Sequence, residues 1–408
     1  MYKKLQEYAK TIIRAGINLQ PDQILVIKAE ISMADFVRLV VDEAYAASAR
    51  EVAIQWYDEH SSRAKFIHSP INVFEKAEQW MVDRAMHYAS QNAAFLSLVG
   101  ADPNLYDGID QEKLSKSYAV NSTALKDYYQ LMMTDQIRWC VAGVPTVKWA
   151  QMVFPDTPDD IAVSKLWLAI LDAVDIKGEG DCNQVVSKGK ALLHRAEKLT
   201  SLNLDRLHYT TEKGTDIVIG LAENHLWAGG PSVAADGIIF MPNLPTEEVF
   251  TAPDRCRADG IVYSTKPLYY HGQRIDEFWL KFENGVVVDY DAQIGKSTLE
   301  MLLENDSGSK RLGEVALVPF DSPISNSNTL FYETLYDENA SCHLAPGKAY
   351  PNCVIGGENF SVEELEKYGL NESITHEDFM IGDASTKIVG YTKDNNIVNI
   401  FENGNWAI

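Results

Sequence analysis

The chain's 408 residues exceed the roughly 250–300 at which one hydrophobic core stops growing, so two domains are expected, and 46% apolar content is ample for two cores. Lys and Arg number 36 against 58 acidic residues, a formal charge of −22, spread unevenly: 22 basic and 26 acidic residues fall in 1–200, 14 and 32 in 201–408. Such a field repels nucleic-acid phosphates and anionic lipid headgroups while drawing metal cations and ligands with a free ammonium group, which argues against nucleic-acid and membrane partners.

From the N-terminus, Leu5, Tyr8, Ala9, Ile12 and Ile13 recur at helical spacing, and Gly16 closes a helix expected over 2–17. After the Gln20-Pro21-Asp22 turn, the apolar run 24–27 reads as a buried strand. Helix-like and strand-like runs then alternate: helix 34–47, strand 52–57, helix 73–89, strand 95–99, helix 114–132, strand 137–141, and helices 159–174 and 184–199. That alternation predicts a doubly wound α/β domain, a parallel sheet covered on both faces, spanning 1–200.

Beyond 200 the texture changes to short alternating runs with turn signals, such as 207–209 and 217–219 on either side of Glu212-Lys213-Gly214. This is antiparallel chemistry, and Phe-Glu-Asn-Gly, present at 282–285 and again at 401–404, is a hairpin signal. With helices expected only near 297–303 and 362–368, the segment 201–408 reads as a strand-rich α+β domain whose long connections suit functional residues.

No long apolar run occurs, and the charged stretch 1–10 lacks the apolar region of a signal peptide, so a cytoplasmic protein is expected. Cys140, Cys182, Cys256, Cys342 and Cys353 are scattered without CxxC spacing, which suits reduced thiols, most of them small buried hydrophobes. The chain has no GxxxxGK[ST], no GxGxxG after a strand, no HExxH and no GxSxG, so those nucleotide-binding and serine-hydrolase routes are unsupported.

Four acidic or histidine-bearing contexts stand out in the acidic half. The first, Met-Pro-Asn-Leu-Pro-Thr-Glu-Glu-Val-Phe-Thr-Ala-Pro at 241–253, sets Glu247 and Glu248 in an apolar, proline-bounded run, where strand alternation would put Glu248 with Phe250 on one face. The second is the strand-like run 311–319, with Glu314 at its mouth. The third, 336–344, pairs Glu338 with His343, and Tyr350 follows seven residues later. The fourth, 374–382, places His376 and Asp378 two apart, on one face of a strand. Taken singly, each is more readily a satisfied core residue than a ligand. His60, His68, His87, His194, His208 and His271 lack carboxylates at ligand spacing and are expected to be structural or exposed. The stretch 224–230, with His225 and Trp227, reads more readily as a turn flanked by core residues than as a pocket wall.

Together these segments resemble the metallo-aminopeptidase family of aminopeptidase T, aminopeptidase S and PepS. The resemblance is carried by Asn-Leu-Pro-Thr-Glu-Glu-Val-Phe-Thr-Ala-Pro at 243–253, Leu-Gly-Glu-Val at 312–315, Phe-Tyr-Glu-Thr-Leu at 331–335 leading through Asp-Glu-Asn-Ala at 337–340 to Cys342 and His343, and His-Glu-Asp-Phe-Met-Ile-Gly at 376–382. It covers essentially the whole chain. It implies a hydrolase that releases N-terminal residues from short peptides with a free N-terminus, working as a homodimer. By the same resemblance Glu248, Glu314, Glu338, His343, His376 and Asp378 are the ligands of two divalent ions, Glu314 bridges them, and Tyr350 stands beside them as a catalytic residue.

The charge count agrees: four crowded carboxylates raise one another's pKa, while two divalent cations bring their formal sum to zero. Mixed oxygen and imidazole donors suit Zn²⁺, Co²⁺ or Mn²⁺, with Mg²⁺ as a further candidate. The substrate's free α-amino group could bind one metal directly or a nearby carboxylate such as Glu247 or Glu377. Two other readings stay open on the residues alone. One is a different dinuclear hydrolase such as a phosphoesterase or amidohydrolase, against whose phosphate substrates the acidic half argues; the other is a protein that binds peptide or metal without turnover.

Overall fold

In the computed structural model, which describes residues 1–270 and 273–408, the apolar run at 24–27 lengthens into strand β1, Ile24–Glu30. His271 therefore lies outside the described residues. Parallel to β1 run β2, Glu51–Tyr57, and β3, Ala94–Val99; β4, Trp139–Gly143, lies beyond β3, and the two-residue strand Asn243–Leu244 completes a five-stranded parallel sheet. Parallel neighbours need crossovers, which the intervening helices such as Ala34–Ala46 and Gln79–Ala89 supply.

Two compact units divide the chain: Met1–Gly189 with Pro231–Thr246, and Lys190–Gly230 with Glu247–Ile408. The division falls inside the helix Cys182–Ser201, not at 200. Residues 231–246 return to the first unit, where Asn243–Leu244 pairs with β4.

Several expected elements differ in extent, each for a local reason. The first helix runs Tyr2–Thr11 and continues as a π-helical turn, Ile12–Gly16. Gly16 does not stop it with a left-handed cap; a Cβ there would lie 2.9 Å from Cys140 Sγ, so packing excludes a side chain. The helix expected over 73–89 is a short turn, Ile71–Phe74, followed by Gln79–Ala89, and that expected over 114–132 is two helices, Gln111–Ala124 and Lys126–Met133. The helix Glu59–His68 escapes periodicity because it buries no residue; the Asp58 side chain caps it by accepting from the His60 and Ser61 amides.

The second unit is built on a large antiparallel sheet that includes Leu204–Thr210, Asp216–Leu221, Pro253–Tyr263, Gln273–Glu283 and Val286–Ile294. Both Asn-Gly pairs form two-residue hairpins, with φ of 51° and 77° at Asn284 and Gly285 and of 49° and 71° at Asn403 and Gly404. Positive φ at both central residues is what the twist of a tight hairpin requires. A smaller antiparallel sheet carries β5, Val249–Thr251, β6, Leu312–Leu317, β7, His343–Pro346, and β8, Phe379–Met380, in that order. Every residue of β6 is buried, including its one acid. No helix among the described residues is long and apolar enough to cross a membrane. Cys140, Cys342 and Cys353 are buried free thiols, while Cys256 is exposed.

The first unit also holds a titrating acid. Burial pushes Glu59 up to about 7, against the pull of the Asp102 amide that donates to it at 3.0 Å. An acid whose folded pKa exceeds its unfolded value binds an extra proton on folding between the two. It therefore destabilises increasingly as pH rises from its ordinary value of 4.5 through about 7, and fully above that. Glu59→Gln keeps an acceptor for the amide. It is expected to melt higher than wild type at pH 8, by the equivalent of about 1 kcal/mol after allowance for partial exposure, and alike at pH 4.5. A thermal melt at both pH values checks this; an equal gain at both would mean that ionisation is not the cause.

Candidate metal centre

The small sheet brings the sequence-distant acids and histidines together within the second unit. Register pairs Ala316 of β6 with His343 of β7, and Val249 of β5 with Leu317, so Glu248, which immediately precedes β5, converges with Glu314 of β6 and His343 of β7. His343 Nε2 lies 3.1 Å from Glu248 Oε2 and 3.7 Å from Glu314 Oε1. His376 Nε2 lies 3.3 Å from the other oxygen, Glu314 Oε2, and 3.8 Å from Asp378 Oδ1. The ligand-type atoms thus form two triads, Glu248–Glu314–His343 and Glu314–His376–Asp378, that share one carboxylate.

His376 and Asp378 do not reach this geometry as alternate residues of a strand. His376 makes an isolated bridge to Gly347, and Asp378 immediately precedes β8. The approach depends on glycines: a Cβ on Gly313 would lie 2.4 Å from the Gly347 and Lys348 carbonyls, and Gly347, at φ +115°, would place one 2.0 Å from the Thr375 carbonyl. Three segments bearing Glu314, the Lys348 carbonyl and His376 can therefore lie backbone to backbone.

Both imidazoles are oriented by backbone carbonyls. His343 Nδ1 is 3.0 Å from the Glu338 carbonyl and 3.3 Å from that of Ser341; His376 Nδ1 is 2.7 Å from that of Lys348. A carbonyl only accepts, so each Nδ1 carries a proton; facing carboxylates, each Nε2 is protonated too, because the surrounding acids outweigh burial and raise both imidazoles above the ordinary histidine value, and a bound metal ion would take the place of that Nε2 proton. Asp378 Oδ1 is buried without a hydrogen-bond partner, a costly state that a cation would relieve.

Glu338 is buried but stands outside both triads; Asn339 Nδ2 donates to its carboxylate at 3.3 Å. Asn339 also accepts from the Glu247 amide at 2.6 Å and donates to the Leu335 carbonyl at 3.0 Å, tying the Glu248 and Glu338 segments together. Tyr350 packs with its ring centroid 5.0 Å from His376 and 5.6 Å from Phe250.

The electrostatics are those of a crowded anionic cluster. Burial, then the neighbouring acids, push Glu338 well above the usual carboxylate range, and burial also raises Glu248 and Asp378. Burial acts on Glu314 too, but hydrogen bonds from His343 and His376 outweigh it and hold the carboxyl at about 2. Glu314 is thus the fixed negative charge on which both histidines lean. Burial, then Glu314 and its neighbours, raise the Tyr350 phenol, so it remains a donor.

Periodicity and motif spacing gave no sign of Asp306. Its Oδ1 accepts from the Gly308 and Ser309 amides at 2.8 and 2.9 Å and from the Ser373 hydroxyl at 2.8 Å, and its Oδ2 accepts from the Ile374 amide at 2.7 Å. That clamp fixes the segment leading into His376. The signal available was the turn-forming Asn-Asp-Ser-Gly-Ser at 305–309. Among the described residues, none of His60, His68, His87, His194 and His208 joins a metal-ligating group. His225 and Trp227 are buried.

The family model of the thermophilic metalloproteases (M29) matches residues 1–406. Over 405 residues the chain is 43% identical to aminopeptidase AmpS of Bacillus subtilis, covering 99% of this chain and 98% of that protein. It is 38% identical over 407 residues to aminopeptidase PepS of Streptococcus thermophilus, covering 100% and 98%. The solved structure of wild-type AmpT from Thermus thermophilus shares the fold with a TM-score of 0.92 at 35% identity, covering 100% of both chains. A family match of this length, on a chain whose carboxylates and histidines converge as two triads that could hold metal ions, means that the protein belongs to the thermophilic metalloprotease family (M29), hydrolases that depend on divalent metal.

Proposed function

We propose that the chain is a metal-dependent aminopeptidase that releases N-terminal residues from short peptides at a centre of two divalent ions. The observation that carries this reading is the pair of triads sharing Glu314, one carboxylate oxygen turned to each histidine. Glu248 and His343 would hold one ion and His376 and Asp378 the other, with Glu314 shared by the two triads and Glu338 a further ligand beside them. When bound, two such ions supply a water of lowered pKa and polarise the scissile carbonyl. Zn²⁺, Co²⁺ and Mn²⁺ suit these oxygen and imidazole donors.

The protein's own groups do the rest. Tyr350 donates a hydrogen bond to the oxyanion that develops from the scissile carbonyl. The free α-ammonium is held by a carboxylate beside the centre, Glu247 or Glu377; burial, then Asp378, push Glu377 up to about 8, and an incoming cation favours its ionised form. Asp306 is a positioning residue, acting on the centre through His376. Asp306→Ala is expected to weaken metal affinity about 10–100-fold, as loss of an orienting partner does, with the circular dichroism spectrum unchanged. Competition with a chromogenic chelator reads this, and an unaltered affinity would remove the role.

A cytoplasmic homodimer is the setting proposed for this activity. The test is release of chromophore from aminoacyl anilides with free amines, beside N-acetylated controls, before and after chelation and metal add-back. Cleavage restricted to free amines, lost on chelation and restored by metal, is expected. Equal cleavage of acetylated substrates would contradict the amine-recognition role.

A further inference from the structure

The first unit, which contributes none of the residues proposed above as ligands, contains a cavity of about 310 Å³. Its floor is one face of the parallel sheet. Gln55 of β2 and Ser97 of β3 stand in register with Lys28 of β1, so three polar side chains line up across adjacent strands. The helix Gln79–Ala89 adds Arg84, Gln111–Ala124 adds Asn121, and Lys126–Met133 adds Tyr128 and Tyr129; Val26 and Phe95 supply apolar floor.

A lysine in the middle of a parallel strand is a costly choice, because such strands are covered on both faces and are usually apolar throughout. All of β1 is buried except Lys28, which is exposed and lines the cavity. The cavity is lined by two cations and by no Asp or Glu, on a chain whose net charge is −22. The cationic groups lie near ring faces instead, Lys28 Nζ 5.9 Å from the Tyr57 centroid and Arg84 5.0 Å from that of Trp80. Two cations with no acid in the lining, beside hydrogen-bonding groups and aromatic rings, call for an anionic ligand with an apolar body. The volume is at the lower end of the roughly 300–1,000 Å³ typical of small-molecule sites, which fits a ligand the size of one large amino acid.

We propose that this cavity binds a small organic carboxylate with an aromatic or bulky apolar body, of the class of an aromatic amino acid or its N-acyl derivative. Lys28 and Arg84 take the carboxylate, Gln55, Ser97 and Asn121 its remaining polar groups, and Tyr128 and Phe95 the ring.

The test is calorimetric titration of the full chain with N-acetyl-L-phenylalanine, whose blocked amine keeps it from resembling a free-amine substrate. Wild-type protein is expected to bind it equally before and after chelation. Lys28→Met and Arg84→Met should each weaken binding at least about 10-fold, as loss of a charge-assisted hydrogen bond implies, and Lys28→Arg should recover most of it. N-acetyl-L-phenylalaninamide, which lacks the carboxylate, should bind wild type at least about 10-fold more weakly, a comparison that needs no variant to fold. No binding to wild type, equal binding of acid and amide, wild-type affinity in Lys28→Met, or binding that disappears on chelation would each overturn the proposal.

Discussion

Glu314→Gln is expected to lose metal from both halves of the centre and nearly all turnover, whereas Asp378→Asn should lose metal chiefly from one. Glu314 lies in a strand buried at every position and offers Oε1 to the His343 side and Oε2 to the His376 side. An amide keeps the shape but gives up the charge, and only one of its two ends can accept. Metal assistance is worth several kcal/mol of transition-state stabilisation, so a fall of about 10³-fold or more in kcat/KM is the expected scale. Elemental analysis after dialysis, with circular dichroism to establish folding, separates the outcomes. Wild-type metal content and turnover in Glu314→Gln would show that the ligand set is wrong.

Tyr350→Phe is expected to keep its metal and its packing while kcat falls about 10²–10³-fold, the roughly 2.7–4 kcal/mol associated with losing one oxyanion donor. The ring belongs to a cluster with Phe250, Val354 and Leu365, which phenylalanine can maintain. Only the hydroxyl is removed, and its raised pKa means that a neutral donor is lost, not a phenolate. KM should move little, because the bond strengthens as the carbonyl oxygen gains charge. Full turnover with metal bound would leave Tyr350 a packing residue.

The parts of this fold that sequence revealed are those where burial imposes a period. The run 24–27 is apolar because both faces are covered, and the two Asn-Gly pairs mark hairpins because positive φ is required at both positions. Glu314 drew notice as the acid at the mouth of a strand-like run; in the structure it lies inside a strand with no exposed residue. Elements held by capping or by distant pairing left weaker traces. The helix Glu59–His68 buries nothing and rests on its Asp58 cap, and Val147–Val153 is seven residues capped by Thr146. The return of 231–246 to the first unit depends on a two-residue strand pairing across about a hundred residues of sequence, which no local pattern encodes.

At the site, residue types were legible but their geometry was not. His376 and Asp378 meet because close backbone contacts at Gly313 and Gly347 fold three segments together, not because a strand alternates. The ring orientations of His343 and His376 follow from carbonyls at 338, 341 and 348, whose positions emerge only when the chain is folded. Glu338, adjacent in sequence to the Asn339 that anchors the Glu247 amide, stands outside the two triads in space.

The most direct measurement of the shared-carboxylate centre is a metal titration of chelated protein, following both bound ions and turnover of leucine p-nitroanilide. Turnover that rises to its plateau as two ions bind per chain, with N-acetyl-leucine p-nitroanilide uncleaved throughout, is the expected result. Full turnover at one ion per chain would contradict a centre in which Glu314 joins two metal sites.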